Sequence, residues 1–279
     1  MHQKRTVEGM TDDIVTYRRD GDVAIIGLNR PDKRNALSEA LVEGIRQAVR
    51  RAQSEAKAGV IFGHGGAFCA GLDLAQHAER NAVESLEESH RSHDVFDAVA
   101  RGRIPFVAAL HGAVIGGGFE LAAAAHVRVA DETAFFALPE GQRGIYIGGG
   151  GSVYLTGLIG TSRVVDLMLT GRVYAAGDAE RAGAVQYLVE PGRALARATE
   201  LAKRIAQNAP LTNFAVVNAL PRLRDIGHDN GLFFESFVAA LTQTTDEARA
   251  GLRAFLDKRA ERIAPQGRTK KTGAKAKGK

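Results

Sequence analysis

A single cysteine in 279 residues excludes an internal disulfide, and a lone Cys69 fits a reducing compartment. No apolar run approaches the roughly 20 residues that a membrane-spanning helix needs. The opening segment, MHQKRTVEGMTDD, has basic residues but no apolar core behind them, which argues against a secretory signal. These absences predict a cytoplasmic protein with no membrane partner. Acids are missing from the other end: residues 265–279 hold Arg268, Lys270, Lys271, Lys275, Lys277 and Lys279 but no Asp or Glu. The overall charge of +5 and the isoelectric point near 9.4 therefore belong to this tail, and the rest of the chain is close to neutral. That distribution argues against nucleic acid as the main partner and predicts a disordered tail.

What remains is ordinary for a soluble globular chain, with 45% hydrophobic and 25% charged residues. Two β-type runs, residues 14–19 and 23–28, flank Asp20-Gly21-Asp22 and read as a hairpin. Ser38 then caps a helix whose apolar positions are Leu41, Ile45, Ala48, Val49 and Ala52. Strands are predicted at 59–63, 106–110, 127–130 and 134–138, with helices at 84–100 and 119–125. A strand followed by a glycine turn and a helix recurs, which points to stacked α/β units. Beyond Gly192 only helical patterns remain, at 195–206, 211–220, 232–241 and 246–263. Thr244 with Glu247 reads as a capping box before the last of these.

Three glycine-rich turns stand out. The first is GGAFCAGLDL, from Gly65 to Leu74; the second, HGAVIGGGFELA, contains Glu120; the third region, FFALPEGQRG, contains Glu140. Neighbouring carboxylates push their pKa values apart, leaving one acid protonated and one ionised. Glycine lets backbone N–H groups approach a substrate oxygen closely, as a site that stabilises an oxyanion requires. Acid, base and oxyanion donors within about seventy residues predict an active site for a thioester or similar carbonyl compound. Gly148–Gly151 lacks the Lys-Ser/Thr of a phosphate-binding loop and reads as a tight turn near the acyl pocket. Cys69 reads as a small buried filler, and His111 as a packing or hydrogen-bonding residue. His90 and His93 have no third ligand, so no metal site is expected.

The segments RPDKRNAL, AFCAGLDL, HGAVIGGGFELA and LPEGQRGIYIGGGGS, in that order and spacing, resemble the crotonase (enoyl-CoA hydratase/isomerase) superfamily from about residue 14 to 263. The resemblance implies an α/β fold: a crotonase-type spiral of ββα units followed by a helical trimerisation domain. It implies a disordered N-terminus at 1–13, a catalytic spiral at 14–203, a helical domain at 204–263 and the basic tail at 264–279. An acyl-CoA substrate is implied, with coenzyme A as part of the substrate and no other cofactor, in a homotrimer or homohexamer built as a dimer of trimers. Carried onto this sequence, the oxyanion donors are the N–H groups of Leu72 and Gly117. Glu120 holds and activates water, and Glu140 protonates Cα. Lys33, Arg34, Ala70, Gly71, Asp73, Gly116 and Gly148 contact substrate or CoA, as do Phe255 and Lys258 from the last helix.

Carboxylates at both positions match the hydratase branch, which adds water to a 2-enoyl-CoA to give a 3-hydroxyacyl-CoA. The rivals are an isomerase, a hydratase whose product is cleaved further, or a relative that binds RNA through the tail. Gly141-Gln142-Arg143 and Tyr146-Ile147-Gly148 depart from the apolar pattern of straight-chain fatty-acyl hydratases, and His126 replaces a common aspartate. Polar groups lining a pocket need polar partners, so Gln142, Arg143 and Tyr146 predict a short polar or aromatic acyl group, unless their side chains point away from the pocket into a subunit interface.

Overall fold

The computed structural model describes residues 13–76, 80–257 and 259. The expected tail, most of the expected disordered N-terminus and Lys258 lie outside these residues. β1 (Val15–Asp20) and β2 (Val23–Leu28) form the antiparallel hairpin, with Gly21 at φ 61° in the turn. Next come α1 (Glu39–Glu55), β3 (Ala58–Gly63), α2 (Ala82–Ala100) and β4 (Phe106–Leu110). β5 (Ala113–Ile115), α3 (Gly117–Ala124), β6 (Val127–Asp131) and β7 (Phe135–Ala137) follow. Then α4 (Gly151–Ile159), α5 (Thr161–Thr170), β8 (Val173–Ala175), α6 (Ala176–Ala182) and β9 (Tyr187–Val189) complete the strands. The chain ends in α7 (Ala194–Ile205), α8 (Pro210–Asp225), α9 (His228–Thr242) and α10 (Asp246–Leu256).

Six strands lie in the order β1-β2-β3-β4-β6-β9, parallel throughout except for the opening hairpin. A second sheet has the order β5-β7-β8. This is the expected α/β arrangement, in which each return to the main sheet requires a crossover. Alternation along the strands builds two cores. Ile26, Leu28, Ile61 and Leu110 meet Leu41 and Ile45 of α1, Phe96 of α2 and Phe119 of α3. The opposite face, with Val23, Ile25, Val60 and Val107, is covered by Ala194, Ala198, Leu201 and Ala202 of α7. Small residues at helical spacing let α7 lie close against the strands.

The apolar positions foreseen for α1 are all buried, and Ser38 Oγ accepts the Leu41 N–H at 3.2 Å. Asn81 and Glu84 form a reciprocal capping box at the start of α2. The cap on α10 is one residue later than expected. Thr245 Oγ1 accepts the Ala248 N–H at 3.1 Å, while the Thr244 hydroxyl donates back to Leu241 O. Thr244 still belongs to the turn that ends α9, so it cannot begin the next helix. α9 and α10 contain no buried residue; Phe233, Phe234, Phe237, Leu241, Leu252 and Phe255 are each more than half exposed. Among the described residues, no helix is long and apolar enough to cross a membrane.

Candidate active site

The first glycine turn is fastened on two sides. Cys69 N–H donates to Ala113 O, and Cys69 O accepts from Ile115 N, both at 3.0 Å. Leu37 N–H donates to Gly71 O at 2.8 Å, and Asp73 N–H to Leu37 O at 3.0 Å. Gly71 has φ 86°, and a methyl group there would lie 2.7 Å from Ile115 O, so both conformation and space demand glycine. The N–H of Leu72, between these bonds, donates to no described residue, and neither does that of Gly117 at the start of α3. The two lie close together: a methyl on Gly117 would lie 3.9 Å from Leu72 N and 3.8 Å from Glu120 Oε2. Gly117 opens a helix, where unpaired N–H groups and the helix dipole favour negative charge.

Glu120, in the first turn of α3, is 3% exposed. Its Oε1 accepts the N–H groups of Gly149 at 2.9 Å and Gly151 at 2.8 Å. Burial pushes its pKa above the ordinary range, while the amides of Gly151, Gly149 and Gly148 oppose that push by stabilising the anion. The turn is glycine because anything larger collides: a methyl on Gly151 would sit 2.8 Å from Glu120 Cγ, and one on Gly149 would strike the Phe96 ring at 2.6 Å.

Glu140 follows β7 and is 8% exposed. Its Oε1 occupies the space where a side chain on Gly116 would go, which explains that glycine as well as its φ of 52°. Its Oε2 is buried with no hydrogen-bond partner among the described residues. Its pKa is raised to about 7, first by burial and then by the negative charge of Glu120; its own backbone N–H and Arg143 pull the other way. Two carboxylates and two amides without a described partner thus lie close together, an arrangement suited to moving a proton and holding an oxyanion.

The sequence profile of the enoyl-CoA hydratase/isomerase family matches residues 18–264. The chain belongs to that family. Enoyl-CoA hydratase EchA19 of Mycobacterium tuberculosis is 33% identical over 260 residues, covering 91% of this chain and 97% of that protein. A solved structure from Rhodopseudomonas palustris is 50% identical, with a TM-score of 0.84 over 88% of this chain and 95% of its own. The Bacillus anthracis enoyl-CoA hydratase structure is 30% identical with a TM-score of 0.83, covering 88% and 96%.

Family membership makes the placement of each foreseen residue informative. Gly71, Leu72, Gly116, Gly117, Glu120 and Glu140 converge, and Gly148 adjoins Glu120. Lys33 and Arg34 are exposed on their loop, with Arg34 N-terminal to a buried Asn35, both at positive φ. Asn35 ties that loop to the first glycine turn: its side chain donates to His64 O at 2.9 Å and Ala67 O at 2.8 Å and accepts Arg30 N–H at 2.8 Å. Ala70 N–H donates to Arg34 O at 2.9 Å, and the Cys69 thiol to Asn35 O at 3.0 Å. The carboxylate of Asp73 is engaged by Arg30 at 3.0 Å, so its side chain holds the turn in place. Phe255 lies exposed on α10 and is not among the residues gathered around the glutamates.

Gln142 does not reach into the site: its amide donates to Met168 O at 2.7 Å and packs on Gly171. Tyr146 is 69% exposed. The 3-10 turn after Glu140 directs Gln142 toward the end of α5, away from the polar pocket foreseen. Gly148–Gly151 is a tight turn, as read, but its amides hold a carboxylate, a role its sequence did not reveal. Cys69 is fully buried and its thiol is pushed up to about 12 by burial. His126 accepts the Phe106 N–H on Nδ1 and donates from Nε2 to Ala100 O, and burial lowers its pKa to about 4. His111 contacts Gly65 O at 3.0 Å. Among the described residues, no group of three or more His, Cys, Asp or Glu is placed to hold a metal ion.

Proposed function

We propose that this chain is an enoyl-CoA hydratase, adding water across a 2-enoyl-CoA thioester to give a 3-hydroxyacyl-CoA. The observation that carries the reading is the unequal equipment of two buried carboxylates beside two free amides. Glu120, supported as an anion by glycine amides, takes a proton from water. The water oxygen bonds to Cβ, the C=C electrons move to Cα, and the thioester oxygen gains negative charge. The N–H groups of Leu72 and Gly117 meet that charge; one such donor contributes roughly 2.7–4 kcal/mol to the transition state. Glu140, whose pKa near 7 keeps much of it protonated, delivers a proton to Cα. Hydration is redox-neutral, so coenzyme A, as part of the substrate, is the only carrier the proposal includes. Lys33 and Arg34 are suited to the CoA phosphates by charge and exposure.

The bare aromatic surface of α9 and α10 supports a homotrimer or a dimer of trimers, since patches of that kind mark association surfaces. A cytoplasmic location fits the single, reduced cysteine. Turnover on short, long, branched and aromatic 2-enoyl-CoA thioesters tests the reading, with loss of the enoyl absorbance as readout. Conversion of 3-enoyl-CoA without any hydration of 2-enoyl-CoA would replace it with an isomerase. Sedimentation velocity tests the assembly, and a monomer at micromolar concentration would refute it.

A further inference from the structure

The turn that holds Glu120 is itself held by α2. Phe96 packs on Gly149, and the Tyr154 hydroxyl, whose ring lies against Gly150, donates to Asp97 Oδ1 at 2.7 Å. A third contact acts on the peptide that matters most. Ser89 Oγ donates to Gly148 O at 2.5 Å. That carbonyl belongs to the same peptide unit as the Gly149 N–H, which donates to Glu120 Oε1 at 2.9 Å. Both residues flanking this peptide are glycine, so no side chain prevents it from rotating. Rotation would turn a carbonyl toward the carboxylate in place of an amide.

We propose that Ser89 is a positioning residue for hydration: its hydroxyl locks the Gly148–Gly149 peptide so that the amide faces Glu120. The inference rests on the reading of Glu120 as the group that activates water. A hydrogen bond onto the carbonyl also polarises the peptide and strengthens its N–H as a donor. Loss of the serine hydroxyl therefore weakens support for the Glu120 anion, and its pKa rises. His93 Nε2 lies 3.4 Å from Ser89 Oγ; with the hydroxyl proton committed to Gly148, the imidazole is the donor in that contact. Around the turn also stand Glu140 beyond β7, with Arg143 acting on it, Asp97 on α2, paired with Arg101 at 3.2 Å, and Tyr154 on α4.

The test measures kcat and KM for crotonyl-CoA against pH in the full-length protein. Ser89→Ala is expected to lower kcat about tenfold, the scale of one hydrogen bond, with KM within about twofold. The acid limb of kcat/KM moves to higher pH by up to about one unit. Ser89→Thr, which keeps the hydroxyl, restores both, and His93→Gln leaves the limb in place. In a Glu120→Gln background, Ser89→Ala adds no further loss. An unchanged limb in Ser89→Ala, or an equal loss in the Glu120→Gln background, overturns the inference and leaves the hydratase reading standing. Near-normal hydration by Glu120→Gln overturns that reading instead. Should Ser89→Ala not fold, Ser89→Cys, a weaker donor of similar size, is read by the same limb shift.

Discussion

Glu120 and Glu140 are both buried, but their surroundings differ in one respect: Glu120 ends among glycine amides, while Glu140 ends in an oxygen with no described partner. Burial raises both pKa values. Two glycine amides on one carboxylate oxygen oppose that rise at Glu120, whereas at Glu140 the opposition comes from its own backbone N–H and from Arg143. A site that needs one ionised and one protonated carboxyl at neutral pH can therefore separate them largely through backbone geometry, by aiming amides at one of the two. The glycines on each side follow the same division. Gly149 and Gly151 bring donors to one acid, while Gly116 only makes room for the other.

Removing either carboxylate tests the comparison most severely. Glu140→Gln is expected to lower kcat for hydration by about 10²–10⁴ while CoA-thioester binding persists. Retention of more than about a tenth of the activity would end its assignment as the acid. Glu120→Gln should be as damaging to hydration yet spare solvent exchange at Cα, followed by NMR in deuterated water; parallel loss of both reactions would erase the distinction. Gly151→Ala strikes the cradle alone: a methyl within 2.8 Å of the Glu120 carboxylate displaces it, for a loss of about 10²-fold in kcat. An active Gly151→Ala enzyme would show the amides to be dispensable.

Titration of stability sharpens the contrast further. A folded pKa of about 7 against an ordinary 4.5 means the native state holds its Glu140 proton more tightly than the unfolded chain. Its contribution is therefore fully favourable below pH 4.5 and is lost as pH rises through 7. The difference is at most about 3 kcal/mol. Denaturant unfolding of wild type and Glu140→Gln across that range should show the steeper fall in wild type; identical slopes would refute it. The smallest effect is expected at Gln142, whose amide is spent on Met168 O. Gln142→Ala should leave the preference among crotonyl-, decenoyl- and hydroxycinnamoyl-CoA unchanged, and a switch would restore that residue to the pocket.

Much of this was legible in the residues. The period of α1, the Asp-Gly hairpin and the glycine turns around Glu120 reflect local rules that the chain states directly. The three-residue strands β5, β8 and β9 went unforeseen, whereas the equally short β7 was foreseen because it sits in the longer apolar run 134–138. Gly149 and Gly151 were visible as glycines, but which carboxylate they face depends on the approach of segments about thirty residues apart. Gln142 misled for a related reason. Its sequence neighbour Glu140 enters the site, but one 3-10 turn aims its side chain elsewhere.

Asn35 has a wider consequence. By joining the loop of Lys33 and Arg34 to the turn of Leu72, it removes the freedom that a surface loop would otherwise lose on meeting a ligand. The backbone of the two cations then stands at a set distance from the amides. On the proposed reading, a ligand offering phosphates to one end and a carbonyl to the other would be gauged for length, and one too short would surrender a contact. Such a site would sort ligands by reach as well as by grip at either end.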